Sequence, residues 1–214
     1  MGEQNGIVFD GARQVEIRLR SAEGTRTVTV RFPTDEEWTE RQRRRKVIIK
    51  QVGRGVSETV IPGSEEADGE LLAKLRIGDG PEVDGFEATR ILEQLSQADV
   101  DDVIPEAGAF RVVTRVPGGL TTHTLRMPSA KDVIEYRRAF ARILDLPFNK
   151  QELTVNLAAA GNLYQKLCQG VEGYAGSNGS SPVSAVPIIH QAVAVRAAID
   201  ALEVGFEVNR PENF

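Results

Sequence analysis

The chain has 214 residues and a formal net charge of −5, a length that suits one large domain or two domains of about 100 residues. This acidic balance argues against a general polyanion-binding protein, so a basic patch would have to act locally. Cys168 is the only cysteine, which excludes an internal disulfide and a cysteine-based zinc site. The sequence shows neither a secretory signal nor an apolar run long enough to span a membrane, so we expect a cytoplasmic protein.

The chain begins with a predicted β-hairpin and a helix. Residues 14–20 and 25–32 alternate polar and apolar side chains around the turn SAEG, which is typical of paired strands. A proline follows the second strand, and Thr34 with Glu37 forms the capping-box pattern that begins a helix. We expect this helix to extend to about Gln51.

The remainder of the first half is predicted to be helical. A polar connector leads into the short helix ELLAKLRIG, which ends at Gly78. Asp84 with Glu87 forms a second capping box, which begins the helix FEATRILEQLSQA. The acidic residues at 98–102 are predicted to form a solvated linker between the two halves of the chain.

The second half repeats this order. Residues 108–116 and 120–127 are predicted strands of another hairpin, joined by a Pro-Gly-Gly turn. Ser129 with Asp132 resembles the same helix cap. Three helices are predicted to follow, at residues 129–145, 150–169 and 187–203. A Gly/Ser-rich loop at 173–182 separates the last two helices.

The two hairpin-to-helix junctions are similar in sequence. At an offset of 95, residues 27–43 lie over residues 122–138, and six of the 17 positions are identical. The identities fall on the strand end, the proline and the helix, which indicates an internal duplication. The alternative is that any such junction uses proline and Ser/Thr for local reasons.

The predicted fold class is therefore α+β, built from two related halves. Each half is a small antiparallel β-hairpin followed by packed helices. The predicted boundaries are an N-terminal tail at 1–12, a first repeat at 13–104, a second repeat at 105–206 and a C-terminal tail at 207–214.

The segment ERQRRRKVIIKQ, residues 40–51, holds four arginines and two lysines. Acidic residues precede it in the same predicted helix, an order that the helix dipole favours. Glu37 with Arg41 and Glu40 with Arg44 have the spacing of ion pairs along a helix. The run therefore fits a solvated helix face, while a protein-binding surface and nucleic-acid binding remain as alternatives.

Alignment of the two copies places two arginines at core-facing positions. The apolar stripe of the second copy contains Tyr136 and Phe140, and the matching residues of the first copy are Arg41 and Arg45. Their stems could cover apolar surface with the charged heads outside, or the helix could be partly uncovered and dock an acidic or mixed partner. The candidate protein-binding surface comprises Trp38, Arg41, Arg44, Arg45, Tyr136 and Arg137.

No sequence pattern indicates catalysis. His123 is predicted to lie on a strand face and His190 in the core of an apolar helix. Hydrolase, metalloprotease and phosphate-loop motifs are absent from the sequence, so we expect no enzymatic activity, no cofactor and no metal. The last helix is apolar nearly all round, which indicates either central burial or packing on another copy in a homo-oligomer.

The segments VRFPTDEEW and LRMPSAKDV resemble the tail assembly chaperones of long-tailed bacteriophages and related prophage systems. The resemblance covers about 40 residues of each copy, and the tandem arrangement departs from that usually single-unit family. It implies a non-enzymatic protein in the bacterial host that binds a tape-measure protein or tail-tube subunits. Helix 34–50 and its copy 129–145 would then be partner surfaces. The alternatives are a structural component of a virion or tail, and a small nucleic-acid-binding regulator that uses the basic helix 40–51.

Overall fold

The computed structural model describes residues 6–9, 13–21, 24–45, 47–52, 56–60, 63–148, 150–175 and 182–208. The strands are β1 (Gln14–Ser21), β2 (Gly24–Arg31), β3 (Val47–Val52), β4 (Val56–Val60), β5 (Asp99–Glu106), β6 (Ala109–Val116), β7 (Gly119–Arg126), β8 (Ala141–Leu146), β9 (Lys150–Val155) and β10 (Cys168–Glu172). The helices are α1 (Asp35–Arg44), α2 (Ser64–Leu75), α3 (Gly85–Leu95), α4 (Ala130–Phe140), α5 (Leu157–Leu167) and α6 (Ile188–Val208). Helices combined with antiparallel sheets confirm the α+β class.

The described residues form two compact units. The first unit comprises 9–96 and 138–157, and the second comprises 6–8, 97–137 and 158–208. The two units differ from the predicted halves, because β8 and β9 belong to the first unit, where β9 pairs with β3. The proposed tails at 1–12 and 207–214 and the loop at 173–182 lie largely outside the described residues.

The first unit contains the predicted first hairpin. β1 and β2 pair from Gln14↔Arg31 to Ser21↔Gly24; helix α2 packs on β2, and α1 and α3 pack on α2. Thr34 caps α1 with the reciprocal hydrogen bonds of a capping box to Glu37, as predicted. The fully buried apolar side chains of this unit include Val28, Val30, Phe32, Trp38, Leu72, Leu75, Ile91 and Leu92.

The predicted helix over 40–51 is wrong beyond Arg44. α1 ends there, and residues 47–52 form β3, which pairs with β4 on one side and β9 on the other. β-Branched side chains favour a strand, and the two neighbouring strands supply the backbone hydrogen bonds that a helix would have made internally. Lys46 lies outside the described residues. The prediction of a polar connector after this segment is also wrong in part, since residues 56–60 form β4 and α2 begins at Ser64.

The predicted helices 129–145 and 150–169 are each too long. α4 ends at Phe140 and is followed by β8, while β9 and β10 flank the shorter helix α5. The predicted acidic linker at 98–102 is also wrong, since most of it belongs to β5. β5 is the outer strand of the sheet β10-β7-β6-β5, and its first four side chains are exposed, so acidic residues are compatible with a strand there.

The second unit places this four-stranded sheet against α6. The second hairpin, β6 with β7, lies at its centre as predicted, and α6 packs on β5, β6 and β7. Ala194, Val195 and Ala198 of α6 are fully buried. This burial within one chain favours the central position for the apolar helix, and contact with another copy through it stays a prediction.

The two hairpin-to-helix junctions contain matching ion pairs. Arg31 at the end of β2 binds Glu37 in the first turn of α1 at 2.6 Å. At the same offset of 95, Arg126 at the end of β7 binds Asp132 in α4 at 3.2 Å. In both copies the carboxylate also accepts the backbone N–H of the residue that caps the helix. A hydrogen bond from Lys166, with others from Ser129 and Arg126, holds the pKa of Asp132 well below its usual range.

A further repeated segment lies in α2 and α5. Residues 67–78 lie over 159–170 at an offset of 92, and six of these positions are identical: Ala67/Ala159, Gly69/Gly161, Leu71/Leu163, Lys74/Lys166, Leu75/Leu167 and Gly78/Gly170. After each helix the chain returns to its hairpin. Arg76 bridges to β2, and Cys168 at the matching position pairs with β7. The repeat unit is therefore hairpin, helix, hairpin, helix and return.

Candidate protein interface

Arg41 is a buried residue of α1 that pairs with a carboxylate of the same chain. Its Nε lies 2.8 Å from Asp68 Oδ1 and its Nη2 lies 3.0 Å from Oδ2, so the contact is bidentate. Asp68 is fully buried in α2, and the guanidinium also lies 5.6 Å from the Trp38 ring centroid. The acidic partner that the sequence suggested for Arg41 is therefore inside the protein, where it compensates the buried charge.

Three of the six predicted surface residues are not accessible. Trp38, Arg41 and Tyr136 are all buried, the first two in the first unit and Tyr136 in the second. Burial raises the pKa of Tyr136 to about 12. These side chains fix the positions of α1 and α4 from within and present no surface to a partner.

The other three predicted residues are charged side chains with carboxylate partners. Arg44 binds Glu40 and Glu70, whereas Arg45 is mostly covered and its Nη2 lies 3.4 Å from Glu93. Arg137, in the second unit, is exposed and forms an ion pair with Glu203. The predicted partner surface at Arg44, Arg45 and Arg137 stays a prediction, and each charge is already partly neutralised.

A cavity of about 260 Å³ lies between α1 and α2. Charged side chains dominate its lining, among them Glu36, Glu40, Arg44, Glu70 and Lys74. Hydrogen bonds from Arg43 and Arg44 lower the pKa of Glu40 to about 2. Because most of these charges pair with one another in contact with solvent, they add little binding energy of their own.

The two histidines belong to a buried hydrogen-bonded cluster in the second unit. His123 Nδ1 lies 2.9 Å from Tyr164 Oη, and Tyr174 Oη lies 3.2 Å from His190 Nδ1. Burial lowers the pKa of His123 to about 4 and that of His190 to about 3, so both rings are neutral at physiological pH. The prediction of a core position for His190 is confirmed. Within the described ranges no cluster of three or more His, Cys, Asp or Glu side chains could hold a metal ion.

Among the described side chains of the first unit, the most exposed apolar group lies on the hairpin of β8 and β9. This hairpin forms one end of the four-stranded sheet β4-β3-β9-β8, in which β8 is an outer strand. Ile143 is 62% exposed, Leu144 is 48% exposed, and Phe148 in the turn is 88% exposed with a φ of 63°. Successive strand residues point to opposite faces, so β8 exposes apolar surface on both faces of the sheet. This edge, Ala141–Leu146, is the candidate protein interface.

Sequence reasoning assigned β8 to a helix and so did not identify this edge. The signal was present in the two segments VIIKQV and ARILDL, which follow the matched helices of the two copies. The β-branched residues of VIIKQV favour a strand. Because ARILDL is its counterpart in the second copy, a strand could have been predicted there as well. Ile143 and Leu144 were instead placed in a buried helical stripe, and both are exposed.

Comparisons with family models, curated proteins and solved structures found no match to this chain. In the part of the chain that the structure describes, the helices are all too short or too polar to cross a membrane.

Proposed function

We propose that this protein is a non-enzymatic assembly factor that binds another protein through β8. The observation that carries the proposal is an outer strand with exposed Ile143 and Leu144. Within the described residues, β8 has a neighbouring strand on one side only. An unprotected strand edge can pair with an added strand, whose backbone supplies affinity while the side chains supply selectivity.

The sequence resemblance supports a phage protein as the partner. The junctions at 27–43 and 122–138 are similar to those of tail assembly chaperones, which act on tape-measure or tail-tube proteins. In this proposal the protein works in the cytoplasm of the bacterial host and offers β8 to an exposed strand of its client.

Affinity capture from cells that produce the phage tests this function. We expect the wild-type chain to retain a tape-measure or tail-tube protein, identified by mass spectrometry. Ile143→Glu should remove that partner because it places a charge in the strand contact. Ile134→Glu is the matched control, since Ile134 is a 50% exposed isoleucine on α4. Recovery of no phage structural protein, or equal recovery with both variants, would contradict the proposal.

A structural component of a virion or tail is the second candidate. It is favoured by the open ends of the sheet β4-β3-β9-β8, because β4 and β8 each have one paired side in the described part of the chain. Detection of the protein in purified particles would support this role over that of a chaperone. We do not propose nucleic-acid binding, because the arginines of the basic run pair with carboxylates of the same chain.

A further inference from the structure

The four-stranded sheet joins equivalent hairpins from the two copies in an unsymmetrical way. We call β3 and β8 the leading strands, because each follows the first helix of its copy, and β4 and β9 the trailing strands. In the order β4-β3-β9-β8, the leading strand of copy one pairs with the trailing strand of copy two. A two-fold arrangement would instead pair like with like. The join is thus head-to-tail.

A head-to-tail join leaves complementary edges at its two ends. In the described part of the chain, the unused edges are β8, a leading strand, and β4, a trailing strand, and these are the two kinds of strand that pair at the centre. Each neighbouring pair in the sheet is antiparallel. Placing β4 of a second copy beside β8 continues this alternation of strand direction without a break.

We propose that a second copy of this chain binds β8 through its own β4, by the same pairing that joins β3 to β9, and that repetition of this contact builds a ring or an open filament. The inference rests on the proposed function in that it uses the same β8 edge, on which a second copy and a client strand are alternative occupants. A heterologous contact of this kind closes into a ring or continues as a filament.

The internal join specifies the register of this contact. The hairpins close at Val52↔Val56 and Leu146↔Lys150, so they match at an offset of 94. The internal pairs are Val47↔Leu153, Ile48↔Glu152, Ile49↔Gln151 and Lys50↔Lys150. Applying the offset gives the intermolecular pairs Ala141↔Thr59, Arg142↔Glu58, Ile143↔Ser57 and Leu144↔Val56.

Two features of the edge fit this register. Ile49 and Ile143 occupy equivalent positions, but Ile49 lies between two strands and is half-buried, whereas Ile143 is exposed. Pairing would give Ile143 the environment that Ile49 already has. The register also sets Arg142 opposite Glu58, and opposite charges on directly facing strand positions stabilise a pair.

Engineered cysteines test the register directly. In a Cys168→Ser background, Ile143→Cys combined with Ser57→Cys places two thiols at facing positions, where antiparallel Cα atoms lie within disulfide range. The two sites are three strands apart in one chain, about 14 Å, so they cannot bond to each other. Under mild oxidation we expect a ladder of multiples of the 23.4 kDa chain on a non-reducing gel.

The control shifts one cysteine by a single position. Ile143→Cys with Glu58→Cys puts the thiols on opposite faces of the proposed sheet and should yield at least tenfold less ladder. As an independent check, Arg142→Glu should reduce assembly at high protein concentration, and adding Glu58→Arg should restore it. Absence of the ladder from the facing pair, or equal ladders from both cysteine pairs, would overturn the proposal.

The two proposals fail separately. Monomeric behaviour of the cysteine and charge variants, with phage protein still captured by the wild type, would overturn self-assembly alone. A register-dependent ladder without any captured phage protein would support self-assembly and contradict the chaperone function. Circular dichroism of each reduced variant establishes that it is folded before assembly is scored.

Discussion

The buried pair of Arg41 and Asp68 provides the sharpest test of how the first unit is stabilised. Both side chains are almost fully inaccessible, and the contact is bidentate. Two unit charges about 4 Å apart interact by about 4 kcal/mol at the effective dielectric that describes protein interiors best. Removal of one partner leaves the other charged and buried, so Arg41→Tyr or Asp68→Ala alone should lower the free energy of unfolding by about 3–5 kcal/mol.

The second copy supplies the compensating double substitution. Tyr136 occupies the position of Arg41, and Ala160 occupies the position of Asp68 at the α2/α5 offset of 92; both are buried. The pair Arg41→Tyr with Asp68→Ala therefore replaces a buried ion pair with the uncharged residues that occupy the matching sequence positions of the second copy. We expect the free energy of unfolding of the double variant to fall by less than about 2 kcal/mol, because no uncompensated charge remains.

Urea denaturation followed by tryptophan fluorescence measures these changes. Trp38 is the only tryptophan and is buried in α1, so its emission reports on the first unit. Arg44→Ala is the control, because its contacts with Glu40 and Glu70 are exposed to solvent and their loss should leave the urea midpoint nearly unchanged. The reasoning is refuted if the free energy of unfolding falls by less than about 1 kcal/mol in each single variant. It is also refuted if the decrease in the double variant equals the sum of the two single decreases.

Two further predictions concern stability. His123 and His190 are neutral in the fold with pKa values of about 4 and about 3, so the unfolded chain binds more protons as the pH falls below about 6.5. Urea denaturation followed by circular dichroism should therefore show about 4 kcal/mol less stability of the second unit at pH 5 than at pH 7.5, and a flat profile would contradict this. Thr34→Ala and Ser129→Ala should each cost about 1 kcal/mol through loss of a helix cap, seen as a lower urea midpoint; an unchanged midpoint in either would count against the matched caps.

Local patterns predicted the parts of the fold that depend on neighbours in sequence. The strands β1, β2, β6 and β7 have alternating residues that suit one buried face, and the caps at Thr34 and Ser129 are built from residues three apart. The duplication followed from the same junctions. These features need no distant contact to be recognised.

The candidate interface could not be predicted in the same way. Whether ARILDL is a helix or a strand depends on β9, and the position of β9 depends on its pairing with β3, about 100 residues away in sequence. The apolar spacing of Tyr136, Phe140 and Ile143 suited a helix equally well. ARILDL adopts the strand conformation rather than the helical one because its backbone pairs with β9, and this pairing exists only in the folded chain.

The sequence by itself determined the α+β class, the two hairpin-to-helix junctions and the acid-before-base order of α1, since each is set by residues within a few positions. The tertiary structure decided what the basic run does. It ends α1 at Arg44, directs Arg41 to a buried carboxylate 27 residues further along, and turns the following residues into the centre of a sheet. The contact of Arg41 with this carboxylate is required by desolvation, because a buried guanidinium must have a charged partner. The neighbouring residues in the sequence do not supply that partner.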